Sequence, residues 1–237
     1  MDVKEARTVV VTGANRGLGL EFVRQLLARG ERVVAGCRQP GHADALTQLA
    51  AAHPGHLHVA PLDVADEHSR QAFAAEVAAL HPAIDLLVNN AGVLPSGERF
   101  GALEPRVLEH TLQVNTIAPL MLAQALAPQL ARGRRPRVFN LSSRLGSMAL
   151  TGAFQTPSYN ISKAGLNMAT VLMARALNPM GIGVLAASPG WVRTDMGGEK
   201  APVTASESVH DLLGMLDRRA DLGAGEFVDR DGAVLPW

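Results

Sequence analysis

Cysteine is nearly absent: Cys37 is the only one in 237 residues, which excludes an internal disulfide framework and suits a reducing cytosol. It reads as a small strand-end residue rather than an activated nucleophile. A charge excess is absent too, because Lys+Arg and Asp+Glu both number 22. That balance argues against nucleic acid or an anionic membrane as partner and favours a small molecule. No apolar run reaches membrane-spanning length, and the start "MDVKEARTVVVTG" carries acidic residues where an export signal needs basic ones. A cytoplasmic protein is expected. Aromatics make up only 4% of the chain, Tyr159 is the sole tyrosine, and Lys4, Lys163 and Lys200 are the only lysines. The positions of these scarce residues therefore carry weight.

Aliphatic residues are plentiful, with a hydrophobic content of 47%, enough for one sizeable core; a single domain over residues 1–237 is expected. Apolar runs of strand length alternate with helical periodicity, the pattern of a doubly wound α/β fold with a mostly parallel seven-stranded sheet. Strands are expected at "RTVVVTG", "RVVAGC", "HLHVAPLDV" ending at Asp63, "IDLLVNNAG", "RVFNLSS", "GIGVLAAS" and "GEFVDRDG". Helices are expected at "LGLEFVRQLLARG", at "SRQAFAAEVAAL", as one long unit from Pro105 to Ala131, from about Pro157 to Leu177, and near Ser206 to Arg219. The stretch "PGWVRTDMGGEKAPVT" is expected to be irregular.

"VTGANRGLGL" follows the first strand and opens the first helix, the context in which a glycine-rich turn can cradle a pyrophosphate. Gly13 allows a sharp strand exit, Gly17 a close backbone approach and Gly19 tight helix packing. An acid at the end of the second strand would bond a ribose 2′-hydroxyl and repel a 2′-phosphate. None stands there. "AGCRQP" offers Arg38 instead, with Arg16 as a second cation, which favours NADP(H) over NAD(H).

Tyr159 and Lys163 in "SYNISKAGL" are four residues apart on a helix, hence on one face. A neighbouring ammonium stabilises phenolate, the requirement for a tyrosine that moves protons near neutral pH. Ser142 and Ser143 close a strand where an open sheet exposes its crevice, and either can be a turn former or a hydroxyl donor to substrate. Asn115, among apolar neighbours in "LQVNTIAPL", needs a hydrogen-bonding reason to be buried. Bonding to its own backbone and a water-bound kink both meet that need.

Taken in one order, "TGANRGLG", "NNAG", Asn115, Ser143, "YNISK" and "PGWVRTDM" resemble the short-chain dehydrogenase/reductase family over essentially the full length. "CRQP", "SSRLGS" and the final "DGAVLPW" look like its branch of C-factor signalling proteins and sniffer-type carbonyl reductases. The resemblance implies a catalytic set of Asn115, Ser143, Tyr159 and Lys163. Tyr159 would act as general acid, Ser143 would polarise the carbonyl, Lys163 would lower the tyrosine pKa and bind the nicotinamide ribose, and Asn115 would anchor a proton-relay water. It implies cofactor contacts from the turn Gly13, Asn15, Arg16, Gly17, Leu18 and Gly19, from Arg38, Asp63 and Val64, from Asn90, Ala91 and Gly92, and from Pro189, Gly190, Val192 and Thr194. A homo-oligomer, dimer or tetramer, is also implied. The interval from Ser143 to Tyr159 is longer than most members have, which enlarges one wall of the substrate site.

Substrate loops are expected near residues 93–100, 144–156 and 191–205, with Leu94, Met148, Phe154, Trp191 and Met196 as apolar walls for a lipophilic aldehyde or ketone. The histidines of "HPGHLHV" lack a carboxylate or thiolate at ligand spacing, so no metal is expected. The basic run "RGRRPR" lacks interleaved aromatics, so no nucleic-acid site is expected. The resemblance, with the cations near the second strand, implies NADPH-dependent carbonyl reduction. An NAD-linked alcohol dehydrogenase and a nucleotide-sensing signalling protein are the rivals.

Overall fold

The structure, a computed structural model, describes residues 6–219 and 225–237; residues 1–5, on which the expectation about the N-terminus partly rests, lie outside them. Seven strands form the central sheet: β1 (Thr8–Thr12), β2 (Arg32–Cys37), β3 (Leu57–Pro61), β4 (Leu86–Asn89), β5 (Arg137–Leu141), β6 (Gly183–Ser188) and, last in the chain, β9 (Phe227–Asp229). Their order is β3-β2-β1-β4-β5-β6-β9, and every pairing is parallel. All five residues of β1 are buried, as expected of a strand covered on both faces.

The covering helices are α1 (Gly17–Ala28), α2 (Asp44–Ala52), α3 (Glu67–Leu80), α4 (Pro105–Leu112), α5 (Ala118–Leu130), α6 (Pro157–Leu177) and α7 (Ala205–Arg218). Because side chains alternate along a strand, Val9 and Val11 join one core with Phe22, Leu26 and Leu212 from α1 and α7. Val10 joins the other with Phe73, Leu122 and Met173 from α3, α5 and α6. The expected doubly wound single domain is thus what these residues build, with a crevice where strand order reverses between β1 and β4.

Four local expectations need correction. The third strand stops at Pro61, before Asp63. Helix α2 was not anticipated, because Leu46 is its only fully buried residue and its periodicity is faint. The segment expected to be irregular holds two short parallel strands, β7 (Val192–Arg193) and β8 (Val203–Thr204). The long helix from Pro105 is interrupted by a π-turn at Gln113–Ile117. Pro119 has no N–H for the Asn115 carbonyl, and the Ala118 N–H reaches back to the Gln113 oxygen instead.

Candidate active site

The crevice is pinned before it is lined. Thr12 Oγ1 accepts hydrogen bonds from the backbone N–H groups of Asn90 and Ala91, both at 3.0 Å. The Asn90 amide donates in turn to the Thr12 and Gly13 carbonyls at 2.8 and 3.1 Å. Gly13 leaves β1 in the left-handed region, φ +63°, where a Cβ would lie 2.9 Å from the Ala91 Cα. A Cβ on Gly19 would lie 2.2 Å from the Gly13 carbonyl oxygen, so the first turn of α1 rests directly on the strand exit. Arg16 begins α1 without a side-chain cap, and the first turn carries no acid. Its N–H groups and positive dipole end therefore stand open to an anion.

Of the residues expected around a cofactor, all but Gly19, Gly190 and Val192 line one cleft. Gly19 lies beneath the turn, Val192 is buried in β7 and Gly190 packs on the Arg230 side chain. Leu62, Val93, His110, Val114 and Asp195 also line the cleft; the sequence reading missed them. Position at the carboxyl end of a strand was an available signal for Leu62 and Val93. None marked Asp195, which pairs with Arg16 at 2.7 Å across 179 residues of chain. Both partners are mostly exposed, at 66% and 76%, so the pair is weak and Arg16 is readily released to another anion. Arg38 lines the same cleft.

Helix α6 carries Tyr159 and Lys163. Glu98, from the first substrate loop, accepts bonds from both the N–H and the hydroxyl of Ser158, fixing the helix start one residue before Tyr159. Tyr159 and Lys163 are both buried. The ammonium lies 5.6 Å from the phenol ring centroid and donates to the Leu141 carbonyl at 2.7 Å. Burial pushes the Tyr159 hydroxyl up to about 12, opposed by its hydrogen bond with Ser143. Burial brings the Lys163 ammonium down to about 8. The two adjacent serines are used differently: the Ser142 hydroxyl donates to Asn167 Oδ1 at 2.6 Å, whereas Ser143 Oγ accepts from Leu145 N at 3.2 Å and acts on the Tyr159 hydroxyl, opposing its rise.

Asn115 sits on the π-turn, fully buried. Its amide does not bond its own backbone: it accepts from Val93 N at 2.8 Å and donates to Val93 O and Ser162 Oγ, both at 2.9 Å. Gly92 lies between Asn115 and Lys163, since a Cβ there would be 3.3 Å from Asn115 Oδ1 and 3.9 Å from Lys163 Nζ. Ser162, one residue before Lys163, was overlooked; a hydroxyl three residues after Tyr159 was the available signal.

Among the apolar wall candidates, Met196 lines the cleft with Tyr159. Met148, Phe154 and Trp191 stand exposed on their loops, and Leu94 is half-buried. Phe154 meets Phe100 edge to face at 5.5 Å, joining two of the expected substrate loops. The remaining motifs go to structural work. His58 pairs with Glu76 at 2.7 Å, His56 contacts the Glu31 carbonyl, and Arg137 of the basic run caps the end of α7 through the Leu216 and Arg219 carbonyls. Among the described residues, no helix is long and apolar enough to cross a membrane.

Residues 7–204 match the family model of the short chain dehydrogenases. The chain belongs to the short-chain dehydrogenase family. Its relatives include the C-signal protein of Myxococcus xanthus, 36% identical over 65% of this chain and 93% of that one. Among solved structures, the carbonyl reductase Sniffer of D. melanogaster superposes with a TM-score of 0.93 at 32% identity, covering 98% of this chain and all of that one. An NADPH-bound carbonyl reductase from chicken fatty liver gives the same TM-score at 37% identity, covering 98% and 99% of the two chains. This short-chain dehydrogenase is an oxidoreductase of the branch that holds C-signal and the sniffer-type reductases.

Proposed function

We propose that this chain reduces an aldehyde or ketone with NADPH, and that Asn115, Ser143, Tyr159 and Lys163 carry the chemistry. The observation that carries it is the joining of Tyr159, Lys163 and the open glycine turn in one cleft. A dinucleotide pyrophosphate fits the turn: side chains on Gly13 or Gly19 would collide with backbone, and the uncapped end of α1 offers N–H donors. Arg38 and Arg16 supply cations for a 2′-phosphate, and no acid at the end of β2 opposes them.

A reduced nicotinamide held there would supply a hydride to the carbonyl carbon. Ser143 donates a hydrogen bond to the carbonyl oxygen, and Tyr159 delivers its proton to the same atom. A phenol that burial holds near 12 stays protonated at neutral pH, the form a general acid needs. The Lys163 ammonium then stabilises the phenolate left behind. The lone, buried Cys37 suits a cytosolic setting.

The test is NADPH oxidation over a panel of lipophilic carbonyls, with Tyr159→Phe as control. Turnover that the variant loses is expected; no turnover of any reactive carbonyl, or equal turnover by the variant, overturns the proposal. The C-signal relative favours a second reading, nucleotide-dependent signalling with incidental catalysis. Its mark would be a cellular phenotype that Tyr159→Phe still supports.

A further inference from the structure

Beyond the four residues above, helix α6 carries a third polar group on the stripe of Tyr159 and Lys163. Asn167 follows Lys163 by four residues, hence one turn on along the same face, and is 2% exposed. Its side chain touches neither the cleft nor its own backbone. Its Oδ1 accepts from the Ser142 hydroxyl at 2.6 Å, and its Nδ2 donates to the Gly146 carbonyl at 3.2 Å. The Gly146 oxygen can only accept, which fixes the orientation of the amide.

Those two partners bracket Ser143. Ser142 precedes it, and Gly146 closes the single 3-10 turn Arg144–Gly146 that begins on it. The turn is also tied internally, by the Gly146 N–H donating to the Ser143 carbonyl at 2.9 Å and by Leu145 N donating to Ser143 Oγ at 3.2 Å. Among the described residues, no other side chain bonds both flanks of this turn. Given the reduction proposed above, on which this inference rests, we infer that Asn167 is a positioning residue: it holds the loop so that the Ser143 hydroxyl meets the Tyr159 phenol and the substrate oxygen together. One helix then sets the acid, the cation and, through Asn167, the height of the serine above them.

A misplacement of about 1 Å in such a group lowers turnover by up to about a hundredfold, so a positioning role has a large and specific signature. Asn167→Leu, similar in volume but unable to bond either partner, is expected to lower kcat between about tenfold and a hundredfold while the NADPH Kd stays within about twofold. In a Ser143→Ala background the same substitution should lower kcat by no more than about twofold, because the group being positioned is already gone. A residue that merely stabilised the fold would cost as much in both backgrounds.

A second readout needs no turnover. Tyr159 is the only tyrosine, so protein labelled with ¹³C at tyrosine Cζ gives one resonance. Ser143→Ala is expected to move it; Asn167→Leu is expected to move it in the same direction, and the double variant no further than Ser143→Ala alone. Ser142→Ala removes one arm of the bracket and serves if Asn167→Leu fails to fold. The inference is overturned by an unchanged resonance together with unchanged kcat, by equal losses in both backgrounds, or by a parallel loss of NADPH affinity. A wild-type protein that turns over no carbonyl removes the reaction itself, and a resonance shift in Asn167→Leu would then show the positioning of Ser143 separately.

Discussion

Tyr159 and Lys163 are 9% and 4% exposed, whereas Phe100, Phe154, Met148 and Trp191 on the surrounding loops stand between 55% and 85% exposed. On the buried side, each polar group meets a partner of fixed direction, as Asn115 does with Val93 and Ser162 and Ser142 with Asn167. On the exposed side, the loops of Phe100 and Phe154 meet through an aromatic pair. A reacting group has to be held to within a fraction of an ångström, and buried, satisfied hydrogen bonds do that. A surface that accepts lipophilic molecules of differing shape is better served by adaptable apolar side chains. Substitutions on the buried side should therefore act on kcat, and those on the exposed lip on KM.

The strongest break of that contrast is Tyr159→Phe, which keeps the buried ring and removes the proton donor. A loss of about 10²–10⁴ in kcat is expected, measured as NADPH-dependent reduction under saturating carbonyl; a loss below about fivefold would move the acid elsewhere.

Lys163→Met comes next, at about 10²-fold, and it sharpens the account through pH. With the ammonium brought down to about 8 and the phenol up to about 12, reduction should run at a plateau below pH 8 and fall as pH rises through it, because the cation that stabilises the phenolate is lost first. The same shift affects stability. The unfolded chain keeps its Lys163 proton to a higher pH than the folded one, so this group makes folding more favourable as pH rises from about 8 towards the ordinary lysine value. Lys163→Met should flatten both dependences, in the rate profile and in Tm against pH.

Arg38→Ala tests the nucleotide end. A charge-assisted bond to phosphate contributes about 1.5–3 kcal/mol, so the NADPH Kd should rise by at least about tenfold while the NADH Kd changes little. Equal changes for both would detach Arg38 from the 2′-phosphate.

How much of this was legible in the chain differs along the same divide. The buried run "TVVVT", the glycine turn, and the helical spacing of Tyr159 and Lys163 are short-range patterns, and they place the crevice and its phenol directly. The role of Asn115 was half legible: its burial called for partners, but the π-turn that presents it depends on Pro119, four residues on. The partners that tune the site were not legible, because they meet only after folding. Asp195 reaches Arg16 across 179 residues, and Glu98 reaches Ser158 across 60. Helix α2 was missed for a different reason, since a helix with one buried side chain leaves almost no apolar periodicity to read.

The smallest effect belongs to the exposed lip. Phe100 and Phe154 make their edge-to-face contact at 5.5 Å while remaining 85% and 55% exposed, so both rings have surface left to offer a substrate. An aromatic contact of this kind contributes about 0.5–1.5 kcal/mol beyond its area, and Phe154→Ala should therefore raise KM for an aryl ketone about two- to tenfold. For a short aliphatic aldehyde, too small to span from the phenol to the lip, KM should stay unchanged, as should kcat for both substrates. A matching drop in kcat would mean that the loop of Phe154 reaches back through residues 155–158 to the start of α6 and helps to hold Tyr159, and the division between a rigid catalytic side and an adaptable lip would have to be redrawn at Ser158.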